Sequence, residues 1–182
     1  MTLESQQRVR VWDPVVRATH WGIVVAFPVA YMTHGGYLFA HPVSGYALLA
    51  LLAVRIAWGF AGPGTARFAH FVTGPRRLLA YVGQVVRGRE PRHLGHNPAG
   101  AAMIVLLLAL LAAVSLTGLV LDTPGWRDHR DLKALHDALA DAIVVCVIVH
   151  LCGVAYSSWR HRENLVGAMI TGFKRRGNGD AP

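Results

Sequence analysis

The sequence predicts an all-α integral membrane protein, a four-helix transmembrane bundle, and three observations carry that prediction. Hydrophobic residues make up 53% of the 182 residues and charged ones only 15%, against roughly 25% charged in an ordinary soluble domain. The charges are clumped, which leaves four long apolar stretches between them. The basic residues gather on alternate sides of those stretches, as the loops of a polytopic membrane protein do. This composition argues against a disordered chain, a nucleic-acid-binding arm and most soluble enzymes. One domain is expected over residues 1–182.

The elements follow in order. Residues 1–13 are polar and contain no cleavable signal peptide, so the first apolar stretch is expected as a retained helix over residues 15–33. Pro28 lies inside it and should bend it. A second span covers residues 41–60 and contains a single charge, Arg55. In residues 75–88, Leu78, Val82, Val85 and Val86 share a helical face flanked by Arg76, Arg77 and Arg87, which predicts a short helix on the cytoplasmic membrane surface. The third span, residues 99–121, has no charge and opens on Asn97 as N-cap with Pro98 in the first turn. The fourth covers residues 135–159. Each span is about 19 to 25 residues, or about 28 to 37 Å as helix, enough to cross a hydrocarbon core of about 30 Å. No stretch alternates with the period of a strand, and an open sheet cannot satisfy its edges in lipid. Trp12, Trp21, Trp58, Trp126 and Trp159 fall near span ends, where amphipathic rings favour the interface. The tail after Lys174 is expected to be disordered.

Fourteen basic residues fall on the side of the two termini and three on the other, so both termini are expected in the cytoplasm. That imbalance accounts for the net charge of +8 without any nucleic-acid partner. Cys146 and Cys152 lie in one apolar stretch without a CxxC spacing and are read as small buried hydrophobes.

The chemistry lies in the ten histidines. His150 is deep in the fourth span, where an unpartnered imidazole costs a few kcal/mol and where ionisable groups are functional candidates. His136 precedes it by 14 residues, so the two point to within about 40° of one face and lie about 21 Å apart. One helix therefore offers a ligand in each leaflet. His20 opens the first span at the depth of His150, and His41 opens the second at the depth of His136. Two bis-histidine pairs at two depths are what two stacked b haems require. His34, 14 residues after His20, competes with His41, and spacing alone does not separate them. Gly45, Ala140 and Gly153 would leave room beside the ligands. Arg55 follows His41 by 14 residues, which puts it beside the inner haem, either meeting a propionate or quinone headgroup or extending to the interface. His70, His93, His96, His129 and His161 fall in loops or tails and are read as solvated or structural. No Cys or acidic residue joins the membrane histidines at a zinc spacing.

Taken together, these residues resemble the prokaryotic cytochrome b561 family, which includes the cytochrome b subunits of membrane nickel–iron hydrogenases. The likeness covers about residues 11–174. It rests on Val11-Trp12-Asp13 with Thr19-His20-Trp21, and on His41-Pro42-Val43-Ser44-Gly45 followed by Arg55. It continues through Leu94-Gly95-His96-Asn97-Pro98-Ala99-Gly100, Leu135-His136 with His150, and His161-Arg162-Glu163-Asn164-Leu165 through Met169 and Thr171-Gly172. The resemblance implies a bundle with two haem b groups, the inner held by His20 and His150 and the outer by His41 and His136. It favours His41 over His34. It implies electron transfer in the bacterial inner membrane, between quinol or a partner oxidoreductase subunit and another redox protein such as a c-type cytochrome. Whether the chain counts as an enzyme depends on whether it is the membrane subunit of a hydrogenase-like or quinol-linked oxidoreductase. No quinone-site motif stands out, so the donor is open. The competing class is non-redox: a His-lined metal or proton transporter, or an anchor subunit.

Overall fold

Four helices are long and apolar enough to cross a membrane, and the computed structural model, which describes residues 8–34 and 39–176, arranges them as a bundle. In chain order the elements are strand β1 (Arg8–Arg10), helices α1 (Pro14–Met32) and α2 (Ala40–Ala61), a 3-10 turn (Gly64–Ala66), and helices α3 (Phe68–Phe71), α4 (Pro75–Val86), α5 (Pro98–Leu121), α6 (Arg130–Arg160) and α7 (Leu165–Thr171), then strand β2 (Phe173–Arg175). Pro28 sits inside α1 without ending it. Asp13 caps α1 by accepting from the Val15 and Val16 amides, and Asn97 caps α5 by accepting from Gly100, each followed by a first-turn proline.

The core is a slab at mid-bundle in which Ala26 of α1, Leu48 and Leu52 of α2, Leu111 and Val114 of α5, and Ile143 of α6 pack together. Leu48 lies midway between His41 and Arg55, and Ile143 midway between His136 and His150. Seven residues are about 20° short of two turns, so each helix carries a polar group, an apolar plug and a polar group down nearly one face. The outer surface is apolar: Val25, Val43, Val54, Leu116, Val145, Val149 and Leu151 are all exposed. Such a surface is untenable in water and is what lipid requires.

α1 packs on α2, α2 on α5, and α5 on α6. Between α1 and α6 contact is sparse, and a hydrogen bond from the Tyr31 hydroxyl to Asp141 Oδ1 (2.8 Å) spans that seam. Both described ends of the chain meet on one face of the bundle, called the terminal face below. There β1 pairs antiparallel with β2, with Val9 opposite Lys174. The Val11 and Trp12 amides donate to the Gly172 carbonyl, Arg17 donates to the Thr171 carbonyl (2.9 Å), and Trp21 Nε1 donates to the Met169 carbonyl (3.4 Å). α7 and β2 thus form a strap over the start of α1.

Two expectations need correction. Trp12 is not an interface ring but is buried in this strap with Val11 and Ala168. Arg175 is paired in β2 rather than disordered; residues 177–182 lie outside the described residues. The face of α4 turned to the protein is Leu78, Tyr81 and Val85, with Tyr81 buried, while Leu79, Val82 and Val86 are exposed. α4 is tied to the end of α6 through Glu90, whose buried Oε1 accepts from Tyr156 (3.0 Å) and pairs with Arg160 Nε (3.1 Å).

The strap turns at Gly172, which has φ +89°. A Cβ there would lie 2.6 Å from Arg17 Nη1 and 3.1 Å from the Trp12 carbonyl oxygen. Gly172→Ala is expected to cost about 1–3 kcal/mol and to loosen the strap from α1. Faster proteolysis between α6 and β2 in lipid nanodiscs checks it; wild-type protection in the variant would show that the turn tolerates a side chain.

Candidate functional site

On the face away from the termini, His41 in the first turn of α2 and His136 of α6 come together with ring centroids 6.1 Å apart and planes at 74°. His41 Nδ1 lies 2.8 Å from the Ala30 carbonyl oxygen. Ala30 is in the last turn of α1, where carbonyls lack partners within the helix. A carbonyl only accepts, so Nδ1 carries the proton and Nε2 keeps its lone pair. His136 Nδ1 lies 3.0 Å from Thr117 Oγ1. The Thr117 hydroxyl donates to the Ala113 or Val114 carbonyl, both 3.0 Å away, so it accepts from His136. Both rings are thus held in the tautomer with Nε2 free. Two nitrogen–metal bonds of about 2.0 Å each, added to the ring radii, span about 6 Å, which matches the separation of these rings. Gly118 makes room for His136, since a Cβ there would lie 3.0 Å from its Cε1. His34, by contrast, is exposed and bonded to the Tyr31 carbonyl of its own helix end (2.6 Å).

Nearer the terminal face, His20 of α1 is half-buried and sets its ring edge-on to Trp21 (5.2 Å, 90°). His150 of α6 and Arg55 of α2 are its electrostatic neighbours. His20 Nδ1 is buried without a hydrogen-bond partner. Arg55 is 6% exposed and lies over the Phe68 ring, 5.4 Å from its centroid. One of its nitrogens, Nη1, is also buried and unpartnered. It therefore does not extend to the surface. The nearby Asp13 influences Arg55, but its Oδ1 already accepts from two α1 amides and from Trp58 Nε1 (2.9 Å).

The loop histidines divide. His70 and His93 bond the Gly64 and Pro91 carbonyls, His129 caps α6 through the Leu132 amide, and His161 ends α6. His96 is different: its ring lies between Trp12 (4.6 Å) and Phe71 (4.4 Å), and its Nδ1 is buried without a partner. Burial, with the Arg55 and Lys174 charges, holds the His96 imidazole down to about 3, so it is neutral. Of the cysteines, Cys146 is half-buried but Cys152 is exposed, which corrects the reading of both as buried.

Among the described residues no three His, Cys, Asp or Glu side chains come together to hold a metal ion. A pair of imidazoles offers two nitrogen ligands, so a metal held there would bring its remaining ligands with it, as the iron of a porphyrin does. The orphaned His20 Nδ1 and the open space at the Gly45 and Gly153 Cβ positions fit that demand. Sequence reasoning missed Thr117, Gly118 and the Ala30 carbonyl, which carry no signal until their helices are packed. It also passed over Asp141, whose place inside a span was a legible signal.

A family model described as prokaryotic cytochrome b561 matches residues 11–172. A curated relative, a probable Ni/Fe-hydrogenase B-type cytochrome subunit of Rhizobium leguminosarum bv. viciae, is 24% identical over 220 aligned positions, covering 94% of this chain and 92% of the relative. No solved structure matches the chain.

Proposed function

The chain belongs to the prokaryotic cytochrome b561 family, a multi-pass membrane protein with a haem b electron-transfer role, and from that premise we propose that it carries two haem b groups at two depths. His41 and His136 hold one, His20 and His150 the other, with Arg55 beside the second. Bound haem supplies a reversible one-electron couple. The protein's own residues orient the imidazoles, set their basicity and exclude water. The observation that carries the reading is the approach of His41 to His136, with each Nδ1 engaged and each Nε2 left free.

By the distribution of basic residues, the terminal face is cytoplasmic and the His41–His136 tier lies toward the outer side of the bacterial inner membrane. The chain then passes electrons between a partner oxidoreductase subunit, of the kind that the hydrogenase-subunit relative suggests, or a quinol, and another redox protein such as a c-type cytochrome. A reduced-minus-oxidised spectrum with a pyridine-haemochrome assay on the purified protein tests this. Two haems per chain are expected; a colourless protein would point to a transporter or anchor instead.

Thr117 tunes the outer site without touching the metal. Thr117→Val removes the acceptor of His136 Nδ1–H. It is expected to weaken outer-haem binding by roughly 10- to 100-fold and leave the inner haem unchanged, read as haem transfer to an apoprotein acceptor. Equal loss from both sites would remove Thr117 from this role.

A further inference from the structure

We propose that His96 and Arg55 form a two-donor clamp for a carboxylate at the terminal face, and that its occupant is a propionate of the haem held by His20 and His150. The inference rests on the two-haem reading above and adds to it a residue outside the spans.

The His96 ring is clamped between Trp12 and Phe71. A residue serving only to fill that slot needs no ring nitrogen, and leaving one buried and unpaired costs about 1–3 kcal/mol. Arg55 repeats the pattern with a buried, unpartnered Nη1. Two orphaned donors at one end of the bundle call for an acceptor.

The carboxylates of this face are engaged through other groups, and Glu90 Oε2 is itself buried without a partner. Asp13 Oδ1 takes the α1 amides and Trp58. Glu163 takes Arg92 and Lys174, and Glu90 takes Arg160 and Tyr156. None of these carboxylates reaches His96 Nδ1 or Arg55 Nη1, which leaves both donors to an acceptor from outside the chain. Arg55 lies over Phe68, which packs on Phe71, and Phe71 lies against His96; Arg55 is also an electrostatic neighbour of His20, so the clamp lies beside the proposed inner ligand. Haem b carries its own carboxylates, its two propionates, and a buried guanidinium is their natural partner. Neutral His96 completes the site by donating Nδ1–H. A free oxyanion such as phosphate offers the same chemistry, and the experiment separates the two.

The test uses the full chain with its haems in nanodiscs, as wild type, His96→Phe, His96→Asn and His96→Gln. The Asn amide nitrogen reaches the position of Nδ1, whereas that of Gln does not. Redox titration and the resonance Raman propionate bending band are read for each haem. His96→Phe and His96→Gln are expected to keep both haems, lower the midpoint potential of the inner haem alone, and shift its propionate band. The sign follows from leaving the propionate charge less compensated, which favours ferric iron. His96→Asn is expected to restore both readings toward wild type. If His96→Phe fails to assemble, the Asn–Gln contrast carries the same test. Intact haem content with an unmoved band, equal shifts at both haems, or a wild-type inner potential that depends on added inorganic phosphate overturns the clamp alone. A colourless wild-type protein overturns the two-haem reading and the clamp with it.

Discussion

Replacing His41 or His136 with alanine should remove one haem of two, and the same haem in both cases. The two imidazoles approach to 6.1 Å, and each is oriented by a separate element, the end of α1 for His41 and Thr117 of α5 for His136. On the proposed two-haem reading, deleting either would leave its haem with one of its two histidines, and the apolar slab of Leu48, Leu111 and Ile143 would separate the loss from the other tier. His20→Ala and His150→Ala should together define the second haem. His34→Ala should keep both, since His34 is exposed and turned back onto its own helix. Haem content per chain and the two-step redox titration read all five variants. The pairing is wrong if His34→Ala reproduces the loss seen in His136→Ala.

The second large effect is expected from a single methyl group. At Gly59 an added Cβ would lie 2.1 Å from Phe68 Cε2 and 2.3 Å from its Cζ, distances no folded protein sustains, so Phe68 must move. Phe68 lies beneath Arg55 and against Phe60 and Phe71, and Phe71 lies against His96. Overpacking of this kind costs about 1–3 kcal/mol, or several degrees of melting temperature in a chain of this size. Gly59→Ala should therefore lower thermal stability and perturb the inner haem while sparing the outer one. Gly83→Ala is the control: it lies in α4 with open space at its Cβ, and alanine favours helix by up to about 1 kcal/mol. Equal behaviour of the two variants would mean that Phe68 does not buttress the inner site.

Much of this was legible in advance, for identifiable reasons. Hydropathy alone locates four spans, because a helix must keep about 20 apolar residues in lipid and the charges have nowhere else to go. The bounds of α6 were the least accurate, with the helix beginning at Arg130 rather than near residue 135. Its first turns are polar and stand where hydropathy has no preference. The reading of the loop residues was weaker still. His96 and Trp12 look like solvated or interfacial groups until the strap of α7 and β2 closes over the start of α1.

Depth and azimuth along a single helix are properties of the sequence, because rise and rotation per residue are constant. That is why the 14-residue spacing of His136 and His150, and of His41 and Arg55, could be turned into two tiers on one face. Which helix faces which is not such a property. It depends on how α1, α2, α5 and α6 pack, and only that packing set His41 rather than His34 opposite His136 and brought Thr117 and the Ala30 carbonyl to the two Nδ1 atoms, just as the folding of the loops set His96 between Trp12 and Phe71.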